Sequence, residues 1–372
     1  MKKILITSTD MMMMQFLVPH VKHLREQGYD VEVACSEVGN RFAEVQNTLG
    51  EEKTYKVRLQ RNPLKPSNFK GLADLKKIIN GGGYDLVWTN EPVMGVMTRL
   101  AAKKARKKGT KVMYMAHGFH FFKGAPKLNW CVYYPIEKMM ASKADMIVTV
   151  NREDYARAKK FKVKDVRYIH GIGINTDRLK ETNERKDLRK ELALEENAVI
   201  LLSVGELNDN KNQETILRAF AKIDDKALHY VLCGKGKKLE ALKMLAEKLG
   251  VAERTHFLGY RKDVVDICFQ SNIFAMPSKR EGLPVASLEA MYCGLPLVTS
   301  NIRGLVDVME NGVSGYMHQY DDVTGFSQSI MQLKDNAELC KAMGERNRET
   351  VEPYCLYNTK NEVLEIIKEM AE

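Results

Sequence analysis

The chain has 372 residues, 44% of them hydrophobic and 28% charged, with a formal net charge of +10. That length predicts two domains, and no apolar run reaches the roughly 20 residues that a bilayer-spanning helix needs. Seven dispersed cysteines with no Cys-x-x-Cys pair argue against a disulfide framework or a zinc site and point to a reducing compartment, so a cytoplasmic protein is expected.

The first strand is expected over residues 3–8, too short an apolar run for a signal peptide. Met11-Met12-Met13-Met14 then leads into a helix running to about Gln27, capped by Gly28, with a second strand over Val31 to Cys35. Four methionines in a row more often fill a core, though they are adaptable enough to line an apolar acceptor path. This βαβ opening is Rossmann-like but lacks Gly-x-Gly-x-x-Gly, so dinucleotide binding at this turn is not expected. The next strand is expected over Asp85 to Thr89, followed by Asn90-Glu91-Pro92 and a helix to about Lys107. Lys111 to Met115 is a further strand, ending in Ala116-His117-Gly118-Phe119-His120. Ligands of open α/β sheets bind at the carboxyl ends of strands, which makes His117 a candidate. A lone histidine is more often structural, but Gly118 beside it permits close approach.

Charge is unevenly placed. Residues 1–172 carry 31 Lys/Arg against 16 Asp/Glu, and the remainder is mildly acidic at −5. Lys103, Lys104, Arg106, Lys107, Lys108 and Lys111 form an acid-free patch. Without interleaved aromatics it suits an anionic membrane surface better than nucleic acid, and a merely solvated helix end explains it equally well.

A boundary is placed near 175, giving domains over 1–175 and 176–355 and a tail helix over 356–372 that packs back on the first domain. Lys180 to Glu196 reads as linker and surface helix. A second αβ series starts with the strand Val199 to Val204 and the loop Gly205-Glu206-Leu207-Asn208-Asp209-Asn210-Lys211. Val231 to Gly236, a helix through Leu249, and Phe257-Leu258-Gly259-Tyr260-Arg261 continue it. The Gly-x-Gly at Gly234 and Gly236 is weak evidence alone.

The densest signal lies between the expected strands Asn272 to Pro277 and Leu297 to Thr299. Here Ser278-Lys279-Arg280-Glu281-Gly282-Leu283-Pro284 leads into a helix, with Pro284 expected in its first turn. Backbone N–H groups near Gly282 and Leu283 would then seat a phosphate. Glu289 follows Glu281 by eight positions, and a helix rises about 7.5 Å from Pro284 to Glu289. Two glutamates at that spacing also arise by chance on solvated helices.

Context separates the two readings. Glu281-Gly282-Leu283-Pro284, Glu289-Ala290-Met291 and Cys293-Gly294-Leu295-Pro296-Leu297-Val298 closely resemble the Glu-x7-Glu signature of retaining glycosyltransferase family 4. The string after His117, with Asn129-Trp130, Tyr133-Tyr134-Pro135-Ile136-Glu137-Lys138 and Asn151-Arg152-Glu153-Asp154-Tyr155, is similar to its capsule, exopolysaccharide and undecaprenyl-linked sugar transferases. The resemblance implies a GT-B fold of two Rossmann-like domains facing a cleft. It implies a nucleotide-sugar donor, most often a UDP-sugar, no further cofactor, and a saccharide or polyprenyl-diphosphate-linked acceptor. His117 would contact the donor sugar, the loop Gly259-Tyr260-Arg261 the base, and Gly205 and Lys211 the diphosphate. The family usually has an arginine where Glu206 stands, which removes half of a two-cation clamp; Lys279 or Arg280 would have to supply the second charge. Glu289 would accept from the ribose, and Glu281 would hold sugar hydroxyls and stabilise charge at the anomeric carbon. The chain has no Asp-x-Asp triplet, so no metal is expected, and front-face attack with retention is the implied mechanism. Two alternatives stay open: a nucleotide-sugar epimerase of similar shape, and a non-catalytic nucleotide-sugar or nucleic-acid binder, against which the intact glutamate pair argues. A peripheral seat on the inner face of the plasma membrane is expected from the basic half.

Overall fold

A computed structural model describes residues 1–9, 11–37, 42–179 and 186–371. The chain divides into two compact units, Met1–Gly173 with Tyr357–Glu372, and Ile174–Leu356.

The first unit is built on seven parallel strands: β1 (Lys3–Thr7), β2 (Asp30–Cys35), β3 (Thr54–Lys56), β4 (Leu86–Asn90), β5 (Lys111–Ala116), β6 (Met146–Thr149) and β7 (Asp165–Tyr168). Their order is β3-β2-β1-β4-β5-β6-β7. Ile4 lies between Val31 and Leu86 in register, and all three are fully buried. Near-continuous apolar runs of this kind belong to parallel strands covered on both faces. Helix Met11–Glu26 turns Met14, Leu17, Val21 and Leu24 into the core, a helical stripe that absorbs the end of the methionine run. The side chains of Met11 and Met12 lie outside the described residues. The helix after β4 runs only over Pro92–Ala101, and Lys103–Arg106 forms a separate turn. Like charges at Lys103/Lys107 and Lys104/Lys108 disfavour a longer continuous helix, and Arg106 turns aside to fork onto Asp145 at 3.1 and 2.8 Å. The helix Leu356–Ala371 closes the unit, with Glu362 accepting from the backbone N–H of His170 at 3.0 Å and Glu369 from Arg167 at 2.6 Å.

The second unit has six parallel strands: β8 (Val199–Val204), β9 (Leu228–Cys233), β10 (Thr255–Gly259), β11 (Ile273–Met276), β12 (Leu297–Ser300) and β13 (Gly315–His318), in the order β10-β9-β8-β11-β12-β13. Leu201 and Phe274 lie on opposite faces of the sheet, each in its own buried cluster. The part of the expected linker over 180–185 lies outside the described residues; beyond it only Leu188–Glu191 is helical.

Strand order reverses between β1 and β4 in the first unit and between β8 and β11 in the second. Loops leaving the carboxyl ends at such switch points diverge and open a crevice for ligand.

Candidate active site

In the second unit the loops after β8 and β11 are stitched together by main-chain and asparagine contacts. Asn208 Oδ1 accepts from the N–H of Asn210 and Lys211 at 3.0 and 2.9 Å, closing a local turn. Lys279 N–H donates to the Asn210 carbonyl at 2.8 Å, and Asn210 Nδ2 donates to the Arg280 carbonyl at 3.0 Å. Asn212 is held left-handed at φ 56° and donates from Nδ2 to the carbonyls of Pro277 and Tyr320 at 3.1 and 2.7 Å. Asparagine tolerates that backbone region better than most residues. This scaffold brings Lys211 Nζ to 2.8 Å from Glu281 Oε1, joining two residues 70 positions apart in the chain.

Close backbone approach requires glycine at two positions here. A Cβ on Gly234 would lie 1.8 Å from the Gly205 carbonyl oxygen, and one on Gly304 would lie 2.7 Å from that of Gly282. Helix Val285–Tyr292 starts one residue later than the sequence implies. Pro284 is its N-cap at φ −83°, ψ 78°, because the 283–285 turn closes through Val285 N–H to the Leu283 carbonyl at 3.1 Å. Among the described residues the N–H groups of Gly282 and Leu283 donate to nothing. They stand beside Lys211 and Glu281, where open donors at a helix start favour an anion. Glu289 is half-buried on the second turn of the same helix.

Sequence reasoning missed Arg303. Its guanidinium is buried and donates from Nε to the Glu281 carbonyl at 3.2 Å. The available signal was an arginine beside a glycine at a strand's carboxyl end. Glu206, where the family usually has arginine, is exposed, and among the described residues only its carbonyl is engaged, by Gln213 Nε2 at 3.1 Å. Lys279 lies 5.8 Å over the Tyr320 ring, and Arg280 is exposed. Among the described residues the Ser278 hydroxyl is buried without a partner at the end of β11. In the loop after β10, the Arg261 side chain is committed to Asp263 at 2.7 and 2.6 Å and to Glu191. That leaves the backbone of 260–261 and the exposed Tyr260 ring open to a ligand. Gly259 sits at φ 65°, and its carbonyl accepts from Gly234 N–H at 2.7 Å.

In the first unit His117 stands past the end of β5, with Nε2 2.9 Å from Asn90 Oδ1. Asn90 donates from Nδ2 to the Thr7 carbonyl at 3.1 Å. Its oxygen must therefore face the ring, so Nε2 carries the proton and Nδ1 is the acceptor. Glu91, next in the chain, is strained at φ 65° and accepts from Thr9 N–H at 2.7 Å. Beside it opens a cavity of about 300 Å³ with mainly apolar walls, among them Val93, Val96, Val132 and Ile136, with Arg61 and His120 as polar points.

Burial pushes both His117 and its neighbour His20 down to about 4. His20 Nε2 donates to the Ile172 carbonyl at 2.9 Å, and the ring meets Trp88 edge-on at 5.9 Å. Both histidines are neutral near pH 7. As pH falls from about 6.5 towards 4, the unfolded chain takes up protons that the folded unit refuses, so stability is full above that window and declines within it. His20 alone withdraws on the order of 3 kcal/mol by the bottom of the window, and the less enclosed His117 less. The two tryptophans, Trp88 and Trp130, both belong to the first unit, so urea titrations followed by their fluorescence should show a midpoint that drops from pH 7.5 to pH 5. A flat midpoint would contradict the assignment.

Two parallel Rossmann-like sheets with loops of this kind at their switch points are the GT-B architecture. The chain belongs to glycosyltransferase family 4. Its residues 17–178 match the model "Glycosyltransferase Family 4", and 184–350 match "Glycosyl transferases group 1". The "Putative glycosyltransferase EpsD" of Bacillus subtilis (strain 168) is 36% identical over 98% of this chain and 96% of its own length. The UDP-Gal:alpha-D-GlcNAc-diphosphoundecaprenol alpha-1,3-galactosyltransferase of Escherichia coli is 26% identical over 85% of this chain and 83% of its own. Among solved structures, Anabaena HepE in complex with UDP and glucose superposes with a TM-score of 0.82 at 16% identity, covering 99% of this chain and 100% of that one. At that identity the likeness is one of fold.

Proposed function

We propose that this glycosyltransferase moves a sugar from a UDP-sugar to a saccharide or polyprenyl-diphosphate-linked acceptor in bacterial surface-glycan assembly, with retention and without a metal ion. The observation that carries the proposal is the Lys211–Glu281 pair at 2.8 Å, set at the β8/β11 switch point beside the open N–H groups of Gly282 and Leu283. A cation and oriented amides are what a departing diphosphate requires, and they act without reorganisation. In transfer, the bond from the anomeric carbon to the diphosphate oxygen breaks on the face where the acceptor oxygen attacks. The acceptor's proton passes to the leaving phosphate oxygen. Lys211 turns from Glu281 to the diphosphate, and Glu281 is released to hold sugar hydroxyls. Glu289 binds the ribose, and Gly205 and the backbone of Gly259-Tyr260-Arg261 border the nucleotide. The acceptor-imidazole Nδ1 of His117 suits a sugar hydroxyl, the role the family resemblance gives it. The metal-free reading rests on the sequence, which has no Asp-x-Asp triplet to bridge a diphosphate through a metal. The names of the Escherichia coli relative and of the HepE complex support the lipid-linked acceptor and the UDP donor. Lys103, Lys104, Lys107 and Lys108 supply charge for an anionic membrane that holds such an acceptor; Arg106, expected to join them, is instead neutralised by Asp145.

The test incubates the protein with UDP-glucose, UDP-galactose or UDP-N-acetylglucosamine, with and without a diphosphoundecaprenol-linked sugar, in EDTA. UDP release that needs acceptor and survives EDTA is expected. Epimerised donor without acceptor would identify an epimerase, and binding without turnover a non-catalytic binder. Calorimetry on Glu289→Ala should show UDP bound roughly 10- to 150-fold more weakly, the cost of about 1.5–3 kcal/mol for a charge-assisted partner lost.

A further inference from the structure

Helix Lys127–Ala141 of the first unit has two apolar faces, and only one of them is covered. Its inner face buries Glu137, Met140 and Ala141. Its outer face presents Leu128, Cys131, Val132, Pro135, Ile136 and Met139 to solvent. These positions follow the i, i+3, i+4, i+7, i+8, i+11 spacing of a single helical stripe, which is ordinarily a buried face. Leu128 is 71% exposed, Met139 61%, Val132 43% and Ile136 38%. Over about 16 Å of helix, then, the chain keeps a continuous apolar strip in water. Val132 and Ile136 also line the apolar cavity beside Glu91, so the strip borders that cavity's mouth.

The surroundings of the strip select its partner. Lys123, Lys127 and Lys138 are exposed around it, and the one acid on the helix, Glu137, is buried. One turn past Met139, Lys143 enters a groove of about 620 Å³ that it shares with Lys103, Lys107 and Lys111 and with the Asp145 carboxylate, which Arg106 neutralises at 2.8 Å. None of these four lysines forms an ion pair among the described residues. A second copy of the chain docked symmetrically would bring these cations together. An anionic bilayer offers both complements, acyl chains for the strip and phosphates for the lysines. We propose that helix Lys127–Ala141 lies in the interface of an anionic membrane, its Leu128–Met139 strip entering the acyl boundary and the Lys103/Lys107/Lys111/Lys143 groove holding headgroup phosphates. The inference deepens the reading above and rests on its membrane-held acceptor, but its test requires no transfer.

Cys131 lies within the strip and is exposed, Cys35, Cys233, Cys268, Cys293 and Cys355 are buried, and the half-buried Cys340, whose thiol donates to the Leu333 carbonyl at 3.0 Å, is replaced by serine for labelling. An environment-sensitive fluorophore on Cys131 of the full chain should therefore shift to the blue with phosphatidylglycerol vesicles and not with phosphatidylcholine alone. Once bound, part of the shift should persist at about 0.5 M salt, where charge attraction is screened within ~4 Å. L128S/M139S, altered only at exposed positions, should lower vesicle partitioning about tenfold or more, with an unchanged thermal melt and unchanged UDP affinity. Wild-type partitioning in that double variant would overturn the proposal. So would a wild-type chain that ignores anionic vesicles, or that forms a dimer broken by L128S/M139S. Vesicle binding without any sugar transfer would uphold this surface and count against the transferase reading instead.

Discussion

Lys211→Ala is expected to lower kcat/KM for the UDP-sugar by about 10²–10³, the range seen when one preorganised donor is removed from developing negative charge. The expectation follows from what the loop does without the ammonium. Asn208 holds the turn through backbone N–H groups at 3.0 and 2.9 Å, and Asn210 and Asn212 tie it to the β11 loop through carbonyls. None of these bonds uses Nζ, so the variant should keep its fold. What it loses is the partner of Glu281, whose side chain is only 11% exposed. A carboxylate left there unpaired repels the incoming diphosphate, so UDP affinity should fall along with kcat. Lys211→Ala/Glu281→Gln should recover UDP affinity by removing that repulsion, without recovering turnover. Stopped-flow transfer and UDP calorimetry on both variants separate the two effects. Turnover within a few-fold of wild type in Lys211→Ala would mean that Arg303 or the Gly282 and Leu283 amides carry the leaving group by themselves.

The parts of this site that were legible in the sequence are those written as local strings. Glu281-Gly282-Leu283-Pro284 and Glu289 lie within one strand-loop-helix unit, so their spacing survives folding unchanged. The βα alternation was readable because buried parallel strands are short apolar runs, as at Val199–Val204, and because the turns between them are marked by glycine. Pairings made across the sheet were not readable. Nothing in the string around Lys211 announces Glu281 as its counter-ion, since the contact depends on β8 and β11 being neighbours at the switch point. Arg303 escaped for the same reason: its role is to brace a loop reached only through strand order. Arg261 shows the converse, a residue chosen by motif whose guanidinium is occupied by Glu191 and Asp263. The outer stripe of helix Lys127–Ala141 was hidden because apolar spacing marks a helical face without saying whether anything covers it.

Glu137→Ala should destabilise the first unit by about 3–5 kcal/mol, the cost of leaving a buried charge without its partner. Arg99 is fully buried on helix Pro92–Ala101. It donates from Nη2 to Glu137 Oε2 at 2.8 Å and from Nε to the Gly95 carbonyl at 2.8 Å, while Nη1 has no partner among the described residues. Its guanidinium lies 4.1 Å over the Tyr114 ring, and the Tyr114 hydroxyl donates to Glu137 Oε1 at 3.0 Å. Burial and the Glu137 charge hold that phenol well above its ordinary range, so it remains a donor. Glu137 is thus the hub that fixes helix Lys127–Ala141 to the helix before β5, with the apolar cavity beside it. Glu137→Gln keeps the shape and one acceptor and should cost less than Glu137→Ala. Arg99→Met/Glu137→Leu removes both charges together and should recover much of the loss, since apolar replacement of a buried pair is often neutral. Urea unfolding followed through Trp88 and Trp130 reads this unit alone. A Glu137→Ala midpoint equal to wild type would show that water reaches Arg99 and that the pair does not hold the helix in place.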